Sequence, residues 1–145
     1  MVIRPAEKRD LSEILKLYAQ LETEGDEVLD IEAAKNIFDK MKSYPDYGLY
    51  VTEVEGKIVG TFALAVLDNL AHHGAHSGLV EDVVVSEERR GQGIGRQMMM
   101  FAMDLCKQRE CYKVALSSNR RRTDAHRFYE SLGFEIHGYS FSTEL

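Results

Sequence analysis

Val83-Val84-Val85-Ser86-Glu87-Glu88-Arg89-Arg90-Gly91-Gln92-Gly93-Ile94-Gly95-Arg96 runs from a β-branched strand through three alternating glycines into a long helical pattern. The strand reads as buried because it carries three consecutive valines. Glycine admits backbone conformations closed to other residues, and the first amides of a helix have no acceptor inside it. A strand, a glycine turn and a helix start therefore make an anion cradle at the positive end of the helix dipole. Arg89, Arg90 and Arg96 flank it. The segment lacks the Lys-Ser/Thr ending of a P-loop, and it lies mid-chain rather than after a first strand. A plain glycine-rich connection with solvated arginines is the competing reading.

Outward from this stretch the periods are distinct. Val2 to Arg4 reads as a first strand, and Asp10 is placed to cap a helix with Glu13 as its partner. Ile14, Leu17, Tyr18 and Leu21 share that helix's apolar face. Ile31, Ala34, Phe38 and Met41 repeat the spacing in a second helix starting near Asp30. Leu49 to Val54 and Lys57 to Leu67 read as strands joined by a Glu55-Gly56 hairpin. Leu79 to Val85 is the next strand and 94–109 the longest helix. Lys113 to Leu116 is strand-like. Thr123 or Asp124 is placed to cap a helix that Gly133 ends. Phe134 to Leu145 reads as two short strands turning at Gly138. The order β-α-α-β-β-β-α-β-α-β-β predicts an α/β class with a mixed sheet, in one domain over 1–145.

Composition narrows the class of function. A length of 145 residues with 44% apolar content suits one folded domain. No apolar run approaches the ~20 residues of a membrane helix. The opening MVIRPAEKRD turns polar too soon for a signal peptide, and Cys106 and Cys111 lack CxxC spacing, so a cytoplasmic location is expected. The net charge of −6 argues against general nucleic-acid binding. Arginine knots at 89–96 and 120–122 suit a small polyanion instead.

A second signal lies in Ala125-His126-Arg127-Phe128-Tyr129-Glu130-Ser131-Leu132-Gly133-Phe134. Tyr129 fits the apolar stripe of its helix, so core packing competes with any chemical role. Taken together, the two segments resemble the GNAT superfamily of acetyl-CoA-dependent N-acetyltransferases. Arg90-Gly91-Gln92-Gly93-Ile94-Gly95 matches its R-x-x-G-x-G motif, and Phe128 to Phe134 its F-Y-x-x-x-G-F signature. Residues from Leu116 to Tyr129 look like those of aminoalkylphosphonate N-acetyltransferases, and Val80 to Val85 like a strand of glucosamine-6-phosphate N-acetyltransferases.

The resemblance implies acetyl-CoA as co-substrate and a primary amine, small molecule or lysine side chain, as acceptor. It implies that the backbone of Val83, Val84 and Val85 pairs with the pantetheine arm. Arg90, Gly91, Gln92, Gly93, Ile94, Gly95 and Arg96 would hold the pyrophosphate, with Asn119 and His126 touching the coenzyme. Tyr129 would stabilise the departing thiolate. Arg122 stands where many relatives have asparagine, so the resemblance does not carry over that asparagine's contact. It further implies a homodimer, for which Tyr139, Phe141 and Thr143 offer one face of a terminal edge strand.

The base is read from the strand itself. Alternation puts Leu79, Glu81 and Val83 on one face and Asp82 on the other. A carboxylate is costly to bury in an apolar strand without a purpose, which makes Glu81 the candidate base, with a salt bridge as the competing role. Neither cysteine falls in a matched motif, so direct attack is expected rather than an acetyl-cysteine. His72, His73 and His76 have metal-ligand composition but no supporting pattern, and no metal is expected. A CoA-binding sensor on the same fold is the main alternative, and a nucleotide-phosphate binder a third. The acidic run Glu22 to Glu32 favours a cationic acceptor, whereas the phosphonate likeness favours an anionic one.

Overall fold

The computed structural model describes residues 1–20 and 29–143. They fall into two compact units, Met1–Ala115 and Leu116–Leu145. The first contains β1 (Val2–Pro5), α1 (Leu11–Tyr18), α2 (Ile31–Met41), β2 (Tyr47–Val54), β3 (Lys57–Leu67), β4 (His76–Val85), α3 (Ile94–Gln108) and nearly all of β5 (Cys111–Leu116). The second contains α4 (Thr123–Glu130). The strands lie side by side in chain order, with β1–β2, β2–β3 and β3–β4 antiparallel. The crossover from β4 through α3 to neighbouring β5 joins parallel strands. The mixed α/β sheet is as the sequence predicts.

Local chemistry explains most element ends. Glu55 and Gly56 both take positive φ, 53° and 76°, as a two-residue turn matching strand twist requires. The Asp30 carboxylate caps α2, accepting from the amides of Glu32 and Ala33 at 3.0 and 3.1 Å. Leu11, Ile14 and Leu17 bury one face of α1; Leu21 lies outside the described residues. Asp10 does not cap α1 as expected. Its carboxylate turns back to the Glu7 amide at 2.8 Å and takes both guanidinium nitrogens of Arg4, at 2.7 and 3.0 Å. A bidentate cation outcompetes a helix amide.

Both sheet faces are covered. On one, Leu49, Val51 and Ala63 pack with Ala6 just after β1, with Leu11 and Ile14 of α1 and with Phe38 of α2. On the other, Tyr50 stacks on Phe62 with centroids 5.1 Å apart and meets Phe101 of α3 edge-on. Met98, Met99, Ala102 and Cys106 bury that side of α3. Small strand residues let α3 lie close: a Cβ at Gly60 would stand 2.7 Å from Met98 Sδ, and one at Gly78 would strike Cys106 Sγ.

Two further expectations fail. Alternation does not run through β4, because Glu81 pairs with Ala63 and Val84 with Thr61. Partners two positions apart on β3 are thus three apart on β4, a β-bulge with Asp82 at φ 52°. Cross-strand partners share a face, so Val84, not Val83, returns to the face of Glu81. The predicted strands over Phe134–Leu145 are also absent among the described residues. Ile136, Tyr139 and Phe141 are 78%, 89% and 91% exposed, so alternation there has no ladder partner to convert it into a strand.

Candidate active site

The glycine turn forms as its chemistry requires. After β4, the Ser86 amide bonds to Val59 O at 2.8 Å and a single 3-10 turn spans Glu87–Arg89. Arg90 is extended, and Gly91 and Gly93 take φ 74° and 77°. Gly93 is the residue from which α3 starts, and buried Ile94 anchors the helix behind it. A Cβ at Gly91 or Gly93 would meet nothing within 4 Å, so the space in front of the turn is open. Backbone conformation, not crowding, therefore demands glycine here. Among the described residues no side chain caps α3. Arg90 and Arg96 are exposed beside it; Arg90 is 3.5 Å from Glu87 and Arg89 3.4 Å from Glu55. Open amides, a helix dipole and loosely held arginines fit a polyphosphate.

Just upstream, Val84 is buried and Val83 and Val85 are half-buried. Glu81 is exposed, so the burial cost foreseen for it never arises, and no ion pair engages it among the described residues. The bulge makes this possible: it opens the strand where a carboxylate would otherwise enter the sheet. Asp82, expected on the opposite face, acts on two phenols on the α1 side. Burial lifts the Tyr18 phenol above the tyrosine range, the Asp82 charge adds to this, and a hydrogen bond with Thr61 works against it. Burial raises Tyr47 as well, followed by the charges of Asp82 and Glu81. Neutral phenols beside carboxylates suit an ammonium ion. Tyr18, Tyr47 and Asp82 were not candidates in the sequence, because a bulge leaves no local signal in a run of valines.

The second unit holds the other predicted residues. Tyr129 packs on Phe128 at 5.1 Å and edge-on to Phe134 at 5.9 Å. Burial raises its phenol while the Arg122 charge opposes this. Its hydroxyl has no hydrogen-bond partner among the described residues, and its ring is half-buried against Phe128 and Phe134. Asn119 and His126 do come together. The Asn119 carboxamide oxygen accepts from the Arg121 amide at 2.9 Å, and His126 Nε2 lies 3.0 Å from Asn119 O. Together they close the turn leading into α4.

The remaining candidates disperse. His72 stacks on Tyr112 at 4.3 Å, whereas His76 Nδ1 meets Arg109 O at 2.9 Å and Nε2 lies 3.2 Å from Asp68. Among the described residues no group of three or more His, Cys, Asp or Glu is placed to hold a metal ion. Of the acidic run, Glu22, Glu24, Asp26 and Glu27 lie outside the described residues, while Glu32 pairs with Lys35 at 2.7 Å.

Comparison with known proteins agrees with this geometry. A family model described as the acetyltransferase (GNAT) family matches residues 10–134. Over 136 residues the chain is 33% identical to a glucosamine 6-phosphate N-acetyltransferase of Trypanosoma brucei brucei, covering 93% of this chain and 89% of that protein. Over 117 residues it is 31% identical to an aminoalkylphosphonate N-acetyltransferase of Salmonella typhimurium, covering 81% and 75%. The crystal structure of glucosamine-6-phosphate N-acetyltransferase from Arabidopsis thaliana superposes with a TM-score of 0.86 at 30% identity, over 99% of this chain and 97% of that one.

Proposed function

The chain belongs to the acetyltransferase (GNAT) family, and from that membership we propose how its residues divide the work. It is an N-acetyltransferase, and its family uses acetyl-CoA as co-substrate. The acetyl thioester supplies the acyl group. The amides of Gly91, Gln92, Gly93, Ile94 and Gly95, with Arg90 and Arg96, hold the pyrophosphate. The open turn supports this reading, since any group there meets backbone N–H rather than side chain. The backbone of Val83, Val84 and Val85 pairs with the pantetheine arm, and one of its N–H groups polarises the thioester carbonyl. Asn119 and His126 touch the coenzyme from the turn they close.

Glu81, directly or through a water, takes the proton from the acceptor ammonium. The free amine attacks the thioester carbon directly, and Tyr129 gives a hydrogen bond to the departing thiolate. A coenzyme thiol resembles cysteine, pKa ~8.5 against ~10 for tyrosine, so hydrogen bonding suits this step better than full proton transfer. The observation that carries the base assignment is an exposed carboxylate in mid-strand beside a bulge, with no ion pair among the described residues.

The acceptor is a small primary amine bearing a phosphate or phosphonate, as named for the two relatives above. Thiol release from acetyl-CoA tests this with glucosamine 6-phosphate, aminoalkylphosphonates, neutral amino sugars and polyamines. The fastest turnover is expected on the phosphate- or phosphonate-bearing amines, and faster turnover on polyamines overturns the acceptor assignment. A sensor without turnover is not favoured by relatives named for catalysis. The whole of 1–145 serves as one catalytic domain. A cytoplasmic location is proposed on the composition; among the described residues no helix is long and apolar enough to cross a membrane. A homodimer is supported by the exposure of Ile136, Tyr139 and Phe141, a run of apolar side chains left in water. Sedimentation as a monomer at micromolar concentration overturns it.

A further inference from the structure

Cys106 ends a buried row on α3, and Cys111 opens β5 across the turn made by residues 107–110. Backbone bonds from the Arg109 amide to Cys106 O at 3.2 Å and from the Glu110 amide to Lys107 O at 3.0 Å tighten this turn. Glu110 completes it at φ 54°. The reversal sets the Cys111 thiol beside that of Cys106, near enough to act on it through charge and hydrogen bonding. Both are free. They differ in access: Cys106 is 1% exposed, its Sγ against Gly78 of β4, while Cys111 is half-buried.

We propose that Cys111 is a thiol-modification site for low-molecular-weight disulfides, with Cys106 as its resolving partner. The Cys111 thiolate attacks one sulfur of the small disulfide; a bond forms to Cys111 and one small thiolate leaves. Cys106 gives its proton to solvent and attacks the Cys111 sulfur, expelling the second small thiolate. Two protein thiols are thereby oxidised to one disulfide. One small disulfide is reduced to two thiols, which take up the two protons.

The order of attack follows from the environments. Burial, then the neighbouring Cys111 thiol, pushes the Cys106 thiol up to about 12, so it is a poor first nucleophile. Once Cys111 carries a mixed disulfide, its charge and its hydrogen bond to Cys106 are gone, and two of the three causes of that rise lapse. Contact then makes the second step intramolecular, which offsets the low thiolate fraction. The product sits where α3, β4 and β5 meet, at the opposite end of α3 from the glycine turn.

Oxidised glutathione is the probe, read by intact mass and thiol titration. Wild type is expected to lose both thiols and two hydrogens in mass while retaining no glutathione. Cys106→Ala and Cys106→Ser should each stop with one glutathione attached, and Cys111→Ser should take up glutathione at least tenfold more slowly than wild type. Resolution in wild type should quicken as pH rises. Stable retention of one glutathione by wild type overturns the pairing, as does a disulfide-linked dimer. Equal uptake by Cys111→Ser overturns the assignment of the entry thiol.

Discussion

At the β1 edge of the sheet Asp10 is 5% exposed, gripped by Arg4 and bonded to the Glu7 amide. In the middle of β4, Glu81 stands exposed between Val80 at 1% and Val84 at 3%, with no ion pair among the described residues. Their cross-strand partners place Arg4 and Glu81 on the same face of one sheet. The difference is the cation. A carboxylate with a bidentate guanidinium stays charged and buried, and becomes part of the frame. One without a partner must remain in water, where it can exchange a proton with an incoming amine. Arg4 correspondingly lowers the Asp10 carboxyl below its ordinary value, against the opposing effect of burial.

Exchanging each carboxylate for its amide gives the largest test of this contrast. Glu81→Gln should lower kcat roughly 10³-fold, about 4 kcal/mol, and flatten the acidic limb of the pH–rate profile. Its melting temperature should hold, since an exposed change away from packing costs within about 0.5 kcal/mol. A lower melting point with intact kcat would reverse the roles of the two residues. Asp10→Asn should cost about 3 kcal/mol in urea unfolding, the low end for a broken buried pair because Arg4 is 23% exposed and keeps Glu53 at 3.2 Å. Its kcat, measured where the variant is folded, should remain.

Acid sharpens the same pair. The folded pKa of Asp10 lies below its unfolded value of ~3.9, so its stabilisation is fully present above that pH. It is lost as pH falls through the folded value. Wild type and Asp10→Asn should therefore converge in stability below about pH 4, as acid melts by circular dichroism will show. Parallel curves down to the lowest pH would remove Arg4 as the cause.

Smaller effects test whether packing and chemistry separate elsewhere as cleanly. Tyr129→Phe should lower kcat by roughly 10²-fold with acetyl-CoA binding retained, and by less for an acyl donor with a more acidic thiol. Wild-type kcat, measured where chemistry limits the rate, would make Tyr129 a frame residue like Asp10. Gly93→Asp should raise KM for acetyl-CoA about tenfold, through like charge at the turn and a side chain at φ 77°. An unchanged KM in the folded variant would sink the cradle.

Short-range chemistry was legible in the sequence. The Glu55-Gly56 turn, the start of α2 near Asp30, the start of α3 after Gly93 and the end of α4 near Gly133 each follow from residues within a few positions of one another. The strand–glycine–helix segment was equally plain, because positive φ at Gly91 and Gly93 is a local demand. Long-range partners were not legible. Asp10 looked like a cap because Arg4 is brought to it only when β1 docks beside α1. Phe134–Leu145 looked like strands because alternation carries no notice of whether a neighbouring strand exists.

By itself, then, the amino-acid sequence determined the elements from β1 through α4, the mixed class of the sheet and the acetyltransferase family, since propensity, turn conformation and motif spacing are properties of neighbouring residues. Only the tertiary structure decided which carboxylate is buried, where the β4 alternation resets, and that Tyr18 and Tyr47 stand under the charge of Asp82. It also decided that Cys106 meets Cys111. Each of these depends on which distant atoms share a dry or a wet environment, and that is settled when strands register and helices dock on them.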